Sequence, residues 1–355
     1  MKTKAYFQHK GKVIAINGKN KLVMAITINP KNHKEAILRC VVSRTGDVTK
    51  TGSHDISKLY LLKGKSLTSF SIYKELKIKN SEKIIKSLHK PGHEFIGLED
   101  PDIFYDEKSK IYHLYFTMPY IVSKPGKGYV YLGHALGRSL NLLRMTEPVL
   151  SGETQNGFWA KEVSTAPINK AGVMINLFES ADRVKVSNGL SVGFSVVRSA
   201  IGSNMGKKWK VKDTILHPYK LSKKNTIYKW IAGDASPGPL LPKSFIDLGS
   251  NLMLGIMNGC EFGKFKNGKK IFGGHFTVGL FVYDYEKGKI LWVSEKPIIK
   301  DSQAKRITFA SQFIETKPGE GVLYAHVDDS FVRAYTLYAD GIRKMLPKSF
   351  VEGKH

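Results

Sequence analysis

Short strand-like segments recur along all 355 residues of the chain, and this recurrence constrains the fold more than any other feature. The segments are rich in β-branched and aromatic residues, and turn-forming residues separate them. They group into five units, which span residues 12–62, 99–150, 163–217, 228–299 and 307–346. Each unit is long enough for one four-stranded sheet, and five sheets arranged around an axis protect one another's edges. The sequence therefore predicts an all-β fold, a five-bladed β-propeller with four-stranded antiparallel blades.

The domain organisation follows from the absence of any low-complexity linker between these units. We expect residues 1–355 to form a single domain. One segment, residues 72–89, places its apolar residues loosely at helical spacing. We therefore predict a connector or surface insertion at about 63–93, between the first and second units.

The formal net charge of +26 is large for a chain of this length. The lysines are spread along the sequence rather than gathered in one tract, and no zinc-finger, ribonucleoprotein or helix-turn-helix pattern accompanies them. We interpret the excess as a solvated basic surface and predict no specific nucleic-acid partner.

The cysteine count and the hydropathy pattern indicate the cellular compartment of the protein. Cys40 and Cys260 are far apart in the chain, which favours two free, buried thiols in a reducing compartment over a single disulfide. No apolar run approaches the ~18 residues of a membrane-spanning helix, and the N-terminus leads into no signal-like segment. We expect a cytoplasmic protein without a membrane span.

The most informative local feature is an acidic segment at residues 97–105, directly ahead of an aromatic strand at 111–117. It places Glu99, Asp100 and Asp102 within four residues. Carboxylates this close repel one another unless a proton, a ligand or a cation is shared among them. Pro101 favours an extended backbone at Asp100. The pattern is typical of acid/base chemistry on a sugar, and the alternative is a solvated acidic turn.

Several segments resemble one enzyme family. Residues 94–101 are similar to its E-x-x-G-x-E-D-P-R motif, residues 233–242 to its Gly/Pro-rich fourth-blade loop, and residues 322–330 to its terminal Y-Y-G-A-A-D-T segment. The family is glycoside hydrolase family 130, the five-bladed propellers that comprise β-mannoside phosphorylases and β-1,2-mannosidases. Families 43 and 117 are more distantly similar. The resemblance extends over residues 16–337, although it is thin outside these motifs.

The resemblance implies roles for individual residues. It makes Asp100 the proton donor and places Asp329 on the family's terminal aspartate. Three positions depart from the family: Asp102 replaces an arginine, Glu179 replaces the arginine that holds phosphate in the phosphorylases, and Asn258 replaces a histidine. Because acids or an amide replace three cationic or potentially cationic groups, and a carboxylate repels phosphate, the departures favour hydrolysis over phosphorolysis.

An inverting glycosidase needs one protonated carboxyl group and one carboxylate that activates water. We predict Asp100 as the acid, with a pKa raised by Glu99 and Asp102, and Glu179 or, second, Glu261 as the base. Alternatively, Glu179 opens a solvated turn and Glu261 belongs to the surface. The predicted substrate-binding residues are Glu99, Asp102, Lys161, Glu162, Asp234, Asn258 and Asp329. Candidate aromatic platforms for a sugar ring are Tyr120, Phe158, Trp159 and Trp230.

The sequence thus predicts a glycoside hydrolase that cleaves a β-mannoside or related glycan with inversion, and its expected partner is the carbohydrate substrate. One alternative is a phosphorylase or mannosyltransferase of the same propeller type. Another is a non-catalytic propeller that binds carbohydrate. The pattern predicts no cofactor and no metal site, and it does not indicate an oligomeric state.

Overall fold

The five predicted sheets are present and are arranged around one axis, which confirms the five-bladed β-propeller. The computed structural model describes residues 4–15, 22–46, 54–122, 128–151, 159–186, 189–202, 206–266 and 269–351. Phe158 lies outside these residues.

The first strand of the chain, β1 (Tyr6–Lys12), does not belong to the first blade. Blade 1 consists of β2 (Ile14–Ala15), β3 (Leu22–Ile28), β4 (Glu35–Thr45), β5 (His54–Ser66) and β6 (Ser69–Glu75), in the order β3-β4-β5-β6-β2 from the axis outward. Helix α1 (Ser81–Leu88) follows. Blade 2 consists of β7 (His93–Phe95), β8 (Glu99–Asp106), β9 (Ile111–Val122), β10 (Tyr129–Gly137) and β11 (Arg144–Met145). In blade 2 the innermost strand β8 pairs with β9.

Blades 3 and 4 each contain four strands in simple sequential order. Blade 3 consists of β12 (Lys161–Ser164), β13 (Met174–Lys185), β14 (Ser191–Gly202) and β15 (Lys210–Leu216). Helix α2 (Pro218–Lys224) and a 3₁₀ helix (Thr226–Ile231) lead to blade 4. Blade 4 consists of β16 (Asp234–Leu240), β17 (Leu252–Cys260), β20 (Phe276–Asp284) and β21 (Lys289–Val293), and the hairpin β18 (Lys264–Lys266) and β19 (Lys269–Phe272) is inserted between β17 and β20.

Blade 5 closes the ring with a strand from the opposite end of the chain. It consists of β22 (Thr308–Lys317), β23 (Glu320–Val327) and β24 (Phe331–Tyr338), and β1 pairs with β24 as its outermost strand. Two short helices, α3 (Ala339–Arg343) and α4 (Lys348–Val351), follow. The sequence-based fifth unit contained only the three C-terminal strands, so the closing strand was missed.

The segment at 63–93, expected as a connector or insertion, has two parts. The end of β5 and the whole of β6 are outer strands of blade 1. Only α1 and its flanks connect the first two blades, and Ile84 is the residue that this helix buries. The loose helical spacing at 72–89 thus merged the end of a strand with a short helix.

A buried ion pair holds the ring closure. Arg333 on β24 is 1% exposed, and its Nε donates to the Asp301 carboxylate at 3.0 Å. The Tyr335 hydroxyl donates to the same carboxylate at 2.6 Å. The Arg333 guanidinium also donates to the carbonyls of Lys10 and Gly11, at the end of β1. The closing strand is therefore held by a charged cluster as well as by its ladder.

Buried side-chain amides join adjacent blades near the axis. The Asn258 side chain on β17 donates to the Ala310 carbonyl at 2.9 Å and accepts from the Ala310 amide at 2.7 Å, which connects blade 4 to β22. Gln312 makes the same two-way contact with Ile28, connecting blade 5 to β3. These contacts fix the spacing between blades 4 and 5 and between blades 5 and 1.

The core consists of apolar clusters between neighbouring blades, and Trp209 packs in one of them against Tyr115. Cys40 and Cys260 are both buried, as predicted. Among the helices in the described ranges, none combines the length and the apolar character needed to cross a bilayer.

Candidate active site at the mouth of the axis

The innermost strands of blades 1, 2 and 3 contain the same backbone irregularity. The pairing of β3, β8 and β12 with their neighbours shifts by a bulge at Ala25, Asp100 and Glu162. These residues have φ values of 44°, 46° and 49°, a region that non-glycine residues adopt rarely. Bulges of this kind re-aim side chains and are frequent beside active sites. In blades 2 and 3 the re-aimed residue is a carboxylic acid.

The positive φ of Asp100 corrects one sequence-based expectation. Pro101 was expected to hold Asp100 extended, but the bulge places it in the left-handed region. The bulge prevails because the strand is anchored on both sides: Glu99 pairs with Thr117 and Asp102 pairs with Tyr115. The extra residues between these two pairs must leave the ladder.

A glycine sets the approach of this strand to blade 1. Gly97 has φ 124°, and a Cβ there would lie 2.0 Å from the Ser57 carbonyl oxygen. Only glycine allows this contact. It brings Glu99 within reach of blade 1, where the Ser57 hydroxyl donates to its carboxylate at 3.0 Å.

Arg39 is the cation that the acidic segment shares. It lies on β4, and its guanidinium donates to Glu99 at 2.6 Å and to Asp100 at 2.8 Å. Burial opposes its charge, but the two carboxylates raise the pKa of Arg39 above its ordinary value. The arginine was not among the residues singled out from the sequence. Its signal was a charged residue inside the apolar strand β4.

Lys161 is the second cation, on β12 of blade 3. Its ammonium lies 3.3 Å from the carboxylate of Glu179, which is buried behind it on the paired strand β13. Burial lowers the pKa of Lys161, but Glu179, Glu162 and Asp100 raise it to a net value above the ordinary one. Glu179 therefore serves as the counter-ion of Lys161. This placement does not support the base role predicted for Glu179.

The carboxyl groups of Asp100 and Glu162 are hydrogen-bonded to each other. Burial raises the pKa of Glu162 well above its usual value, and the negative charge of Asp100 raises it further. Burial also acts to raise the pKa of Asp100, but Arg39 and Lys161 hold it below its usual value. The sequence-based expectation of a raised pKa at Asp100 is therefore wrong, because the cations outweigh the neighbouring acids. Of the two carboxyl groups, Glu162 is therefore the one that favours its protonated form.

Asp329 completes the cluster from blade 5, in the turn after β23. Its carboxylate lies 2.8 Å from His326 Nδ1, and Arg44 donates to its backbone carbonyl at 2.9 Å. Burial opposes ionisation, but His326 and then Arg39 keep the pKa of Asp329 below its ordinary value. Asp329 is therefore a carboxylate at neutral pH.

These residues surround a cavity with two chambers. Arg39, Asp100, Lys161 and Asp329 line both chambers. The larger chamber, of about 520 Å³, lies on the side of blades 1 and 2 and is also lined by Glu99 and by Trp159, whose ring is 36% exposed. The smaller chamber, of about 170 Å³, includes further residues from blades 1, 3, 4 and 5, which are Met24, Glu162, Phe276, Ile307, Phe309 and His326. The larger chamber has the size of a ligand pocket.

Besides Glu179, four predicted site residues lie away from this lining. Asp234 accepts from the Ser195 amide at 2.8 Å, and Asn258 uses its amide to hold Ala310. Glu261 is exposed and lies 2.7 Å from His275 Nδ1, so its position agrees with the surface alternative and not with the base role. Asp102 lines neither chamber, and no described cation acts on its pKa.

Of the aromatic candidates in the described residues, Trp159 alone lines the cavity. Tyr120 is buried and donates to the Ile85 carbonyl, and Trp230 is buried and donates to the Ser294 carbonyl. Both are core residues. His113 and His134, in turn, contact each other at 3.0 Å between β9 and β10, inside blade 2.

Asp102 supplies a test of stability against pH. Burial raises its pKa to about 7 from 3.8. The folded protein therefore holds a proton that the unfolded chain releases above pH ~4, and folding loses stability as the pH rises towards 7. We expect Asp102→Asn to have the same free energy of unfolding as the wild type at pH 4. At pH 8 its free energy of unfolding should be higher by a few kcal/mol, since one pKa unit corresponds to about 1.4 kcal/mol. Thermal unfolding between pH 4 and 9 measures this difference, and parallel curves would contradict it.

In the part of the chain that the structure describes, no group of three or more His, Cys, Asp and Glu residues is placed to hold a metal ion.

Comparisons with known proteins concern the fold. Models of protein families give no match to this chain, and neither do curated proteins compared by sequence. The β-1,2-mannobiose phosphorylase of Listeria innocua, solved with β-1,2-mannobiose, is similar with a TM-score of 0.62 and 13% identity, over 96% of this chain and 99% of its own. A structure from the GH130 family, described as mannoside phosphorylases that include hydrolases of β-1,2-mannosidic linkages in Candida mannan, has a TM-score of 0.59 and 13% identity, over 89% and 83% of the two chains.

A third solved structure, a native arabinanase of Bacillus subtilis, has a TM-score of 0.51 and 15% identity, over 90% of this chain and 94% of its own. At these identities the three proteins are shown to share only the architecture of this chain. The chain is thus a five-bladed β-propeller with the fold that GH130 mannoside phosphorylases and an arabinanase share, as the sequence resemblance predicted.

Proposed function

We propose that this protein is a glycan-processing enzyme that hydrolyses the glycosidic bond of a β-mannoside or related glycan with inversion. One arrangement carries the proposal: Glu162, whose pKa lies well above its usual value, is hydrogen-bonded to Asp100, whose pKa lies below its own, at a cavity of ligand size. The shared fold supports the substrate class, since the mannobiose phosphorylase and the GH130 structure act on mannosides.

The acid step uses the proton of the Asp100–Glu162 pair. Asp100 lines both chambers, so a glycosidic oxygen at their junction lies against it. As the bond from the anomeric carbon to this oxygen breaks, the oxygen takes the proton that Glu162 shares with Asp100. The pair is then left with two negative charges, which Arg39 and Lys161 stabilise.

The base step requires a second carboxylate that is ionised and faces the same space. We propose Asp329 for this role, in place of Glu179 and Glu261. Asp329 lines both chambers, and His326 and Arg39 favour its charged form. Water attacks the anomeric carbon, its proton passes to Asp329, and the product is a free sugar of inverted configuration.

Hydrolysis is favoured over phosphorolysis by the charge balance of the cavity. Among the lining residues that the structure describes, Arg39 and Lys161 are the permanent cations, and each is already paired with a carboxylate. A phosphate ion would have to displace those carboxylates and would face Asp100 and Asp329. A water molecule can bind without displacing a carboxylate, and the charges of Asp100 and Asp329 do not repel it.

The proposal is tested with a panel of β-mannosides and arabinosides, incubated with and without phosphate, in which free sugar is resolved from sugar 1-phosphate. We expect free sugar without phosphate. Sugar 1-phosphate that forms only with phosphate would instead establish a phosphorylase. Binding of sugars without any turnover would favour the non-catalytic propeller.

Glu179 gives an independent test of the charge balance. Glu179→Gln removes the counter-ion of Lys161 without changing the size of the side chain. We expect inorganic phosphate to bind this variant at least about fivefold more tightly than the wild type, since a charge pair at 4 Å contributes about 1 kcal/mol even in water. Isothermal titration calorimetry measures the affinity. Glu261→Gln, which removes an exposed carboxylate, should leave it unchanged, and an unchanged affinity in both variants would contradict the assigned pairing.

A further inference from the structure

A second cavity, of about 370 Å³, lies between the outer edges of blades 3 and 4. Its walls are the outermost strands β15 and β21, helix α2 and the 3₁₀ helix at Thr226–Ile231. Tyr228, Leu291 and Trp292 provide apolar and aromatic surface, and Leu291 is 47% exposed. We call this cavity the blade 3–4 groove.

The elements around the groove are strongly basic. Together they carry seven lysines against one acidic residue, Asp213. All seven are exposed: Lys210, Lys212, Lys220, Lys223, Lys224, Lys229 and Lys289. The described lining itself contains Lys220 and Lys224 and no carboxylate. Neither lysine forms an ion pair within the described ranges. This groove differs from the active-site cavity, where Arg39 and Lys161 are both neutralised.

His217 adds a buried polar group to the same lining. Its side chain is 6% exposed, and neither ring nitrogen has a hydrogen-bond partner among the described residues. The nearest carboxylate, that of Asp182, lies 3.7 Å from Nε2, which is too long for a hydrogen bond. Burial and the nearby Lys220 lower the pKa of His217, so the ring is neutral and can donate one hydrogen bond. A buried group without a partner is costly unless a ligand or water satisfies it.

We propose that the blade 3–4 groove is a docking site for an anionic glycan, separate from the active site, in which Lys220 and Lys224 bind the acidic groups and Trp292 contacts a sugar ring. The unpaired lysines supply the charge complementarity, and the exposed apolar surface suits the faces of pyranose rings. The choice of a glycan over another polyanion rests on the proposed function. The large net charge would then hold an acidic polymer on the enzyme.

The test measures binding and not turnover, so its result is independent of the proposed hydrolysis. Biolayer interferometry at low and high salt compares polygalacturonate, neutral mannan and oligothymidylate as probes on the full chain. We expect salt-dependent binding of polygalacturonate that Lys220→Glu/Lys224→Glu weakens at least about tenfold. Lys83→Glu/Lys86→Glu, two exposed lysines of α1, changes the net charge equally and should weaken binding far less. His217→Phe should weaken binding several-fold while it keeps a ring against Phe194.

Three results would overturn the proposal. Equal weakening by the two charge-reversal variants would mean that the net charge alone attracts the polymer. Tighter binding of oligothymidylate through the same lysines would assign the groove to nucleic acid. No binding of polygalacturonate at low salt would leave the groove without this ligand.

Discussion

Replacement of Asp100 by Asn is expected to abolish turnover of the glycoside that the substrate panel identifies, with a loss in kcat of about 10²–10⁴-fold or more. The amide cannot share the proton of Glu162 and cannot pair with Arg39 in the same way. Steady-state kinetics over a range of pH measures the loss, and thermal unfolding checks that the variant is folded.

Glu162→Gln separates the two members of the pair. Glutamine can still donate a hydrogen bond to Asp100, but it has no acidic proton. If Glu162 holds the transferred proton, this variant also loses about 10²-fold or more in kcat, with a smaller effect on KM. Asp102→Asn, an acid on the same strand that does not line the cavity, should remain active. Wild-type kinetics in Glu162→Gln would contradict the assignment of the proton, and an active Asp100→Asn would contradict the site itself.

The second large effect is expected at the ring closure. Arg333→Met should lower the free energy of unfolding by about 3–5 kcal/mol, because it leaves Asp301 as a buried carboxylate without its cation. It also removes the donors that hold the carbonyls of Lys10 and Gly11, so β1 is expected to detach first. Urea titration measures the stability, and hydrogen exchange of β1 amides follows the detachment.

A matched control distinguishes this buried pair from ordinary surface charge. Lys58→Met removes a cation 3.1 Å from Glu75, in a pair whose side chains are 48% and 30% exposed. Its cost should be below about 1 kcal/mol. Similar losses in the two variants, or an intact β1 in Arg333→Met, would contradict the proposed role of the cluster.

The sequence predicted the blades because strands leave a local signal. Alternation and turn residues along about fifty residues are sufficient to propose one sheet, and the structure confirms five. The closing strand β1 left no comparable signal. Its neighbours in the sheet are more than 300 residues away, and its sequence, Tyr6–Lys12, is mostly polar and partly exposed. Closure of the propeller, and not the local sequence, determines pairing over that distance.

The candidate site likewise contains residues that the local sequence reveals and residues that only the fold places there. Asp100 and Asp329 could be found because short motifs surround them, and both line the cavity. Glu179, Glu261 and Asn258 were assigned by alignment without a structure. The fold uses them as a counter-ion, a surface pair and a link between blades. Arg39 was overlooked because no motif accompanies it.

By itself, the sequence determined that this protein is a five-bladed propeller and that acidic residues gather at the start of its second blade. Only the tertiary structure decided which of those acids is ionised. The pKa of Asp100 depends on Arg39 from blade 1 and Lys161 from blade 3, and that of Glu162 on its burial beside Asp100. Local conformation follows from neighbours in the chain, whereas protonation follows from charges and burial that only folding brings together.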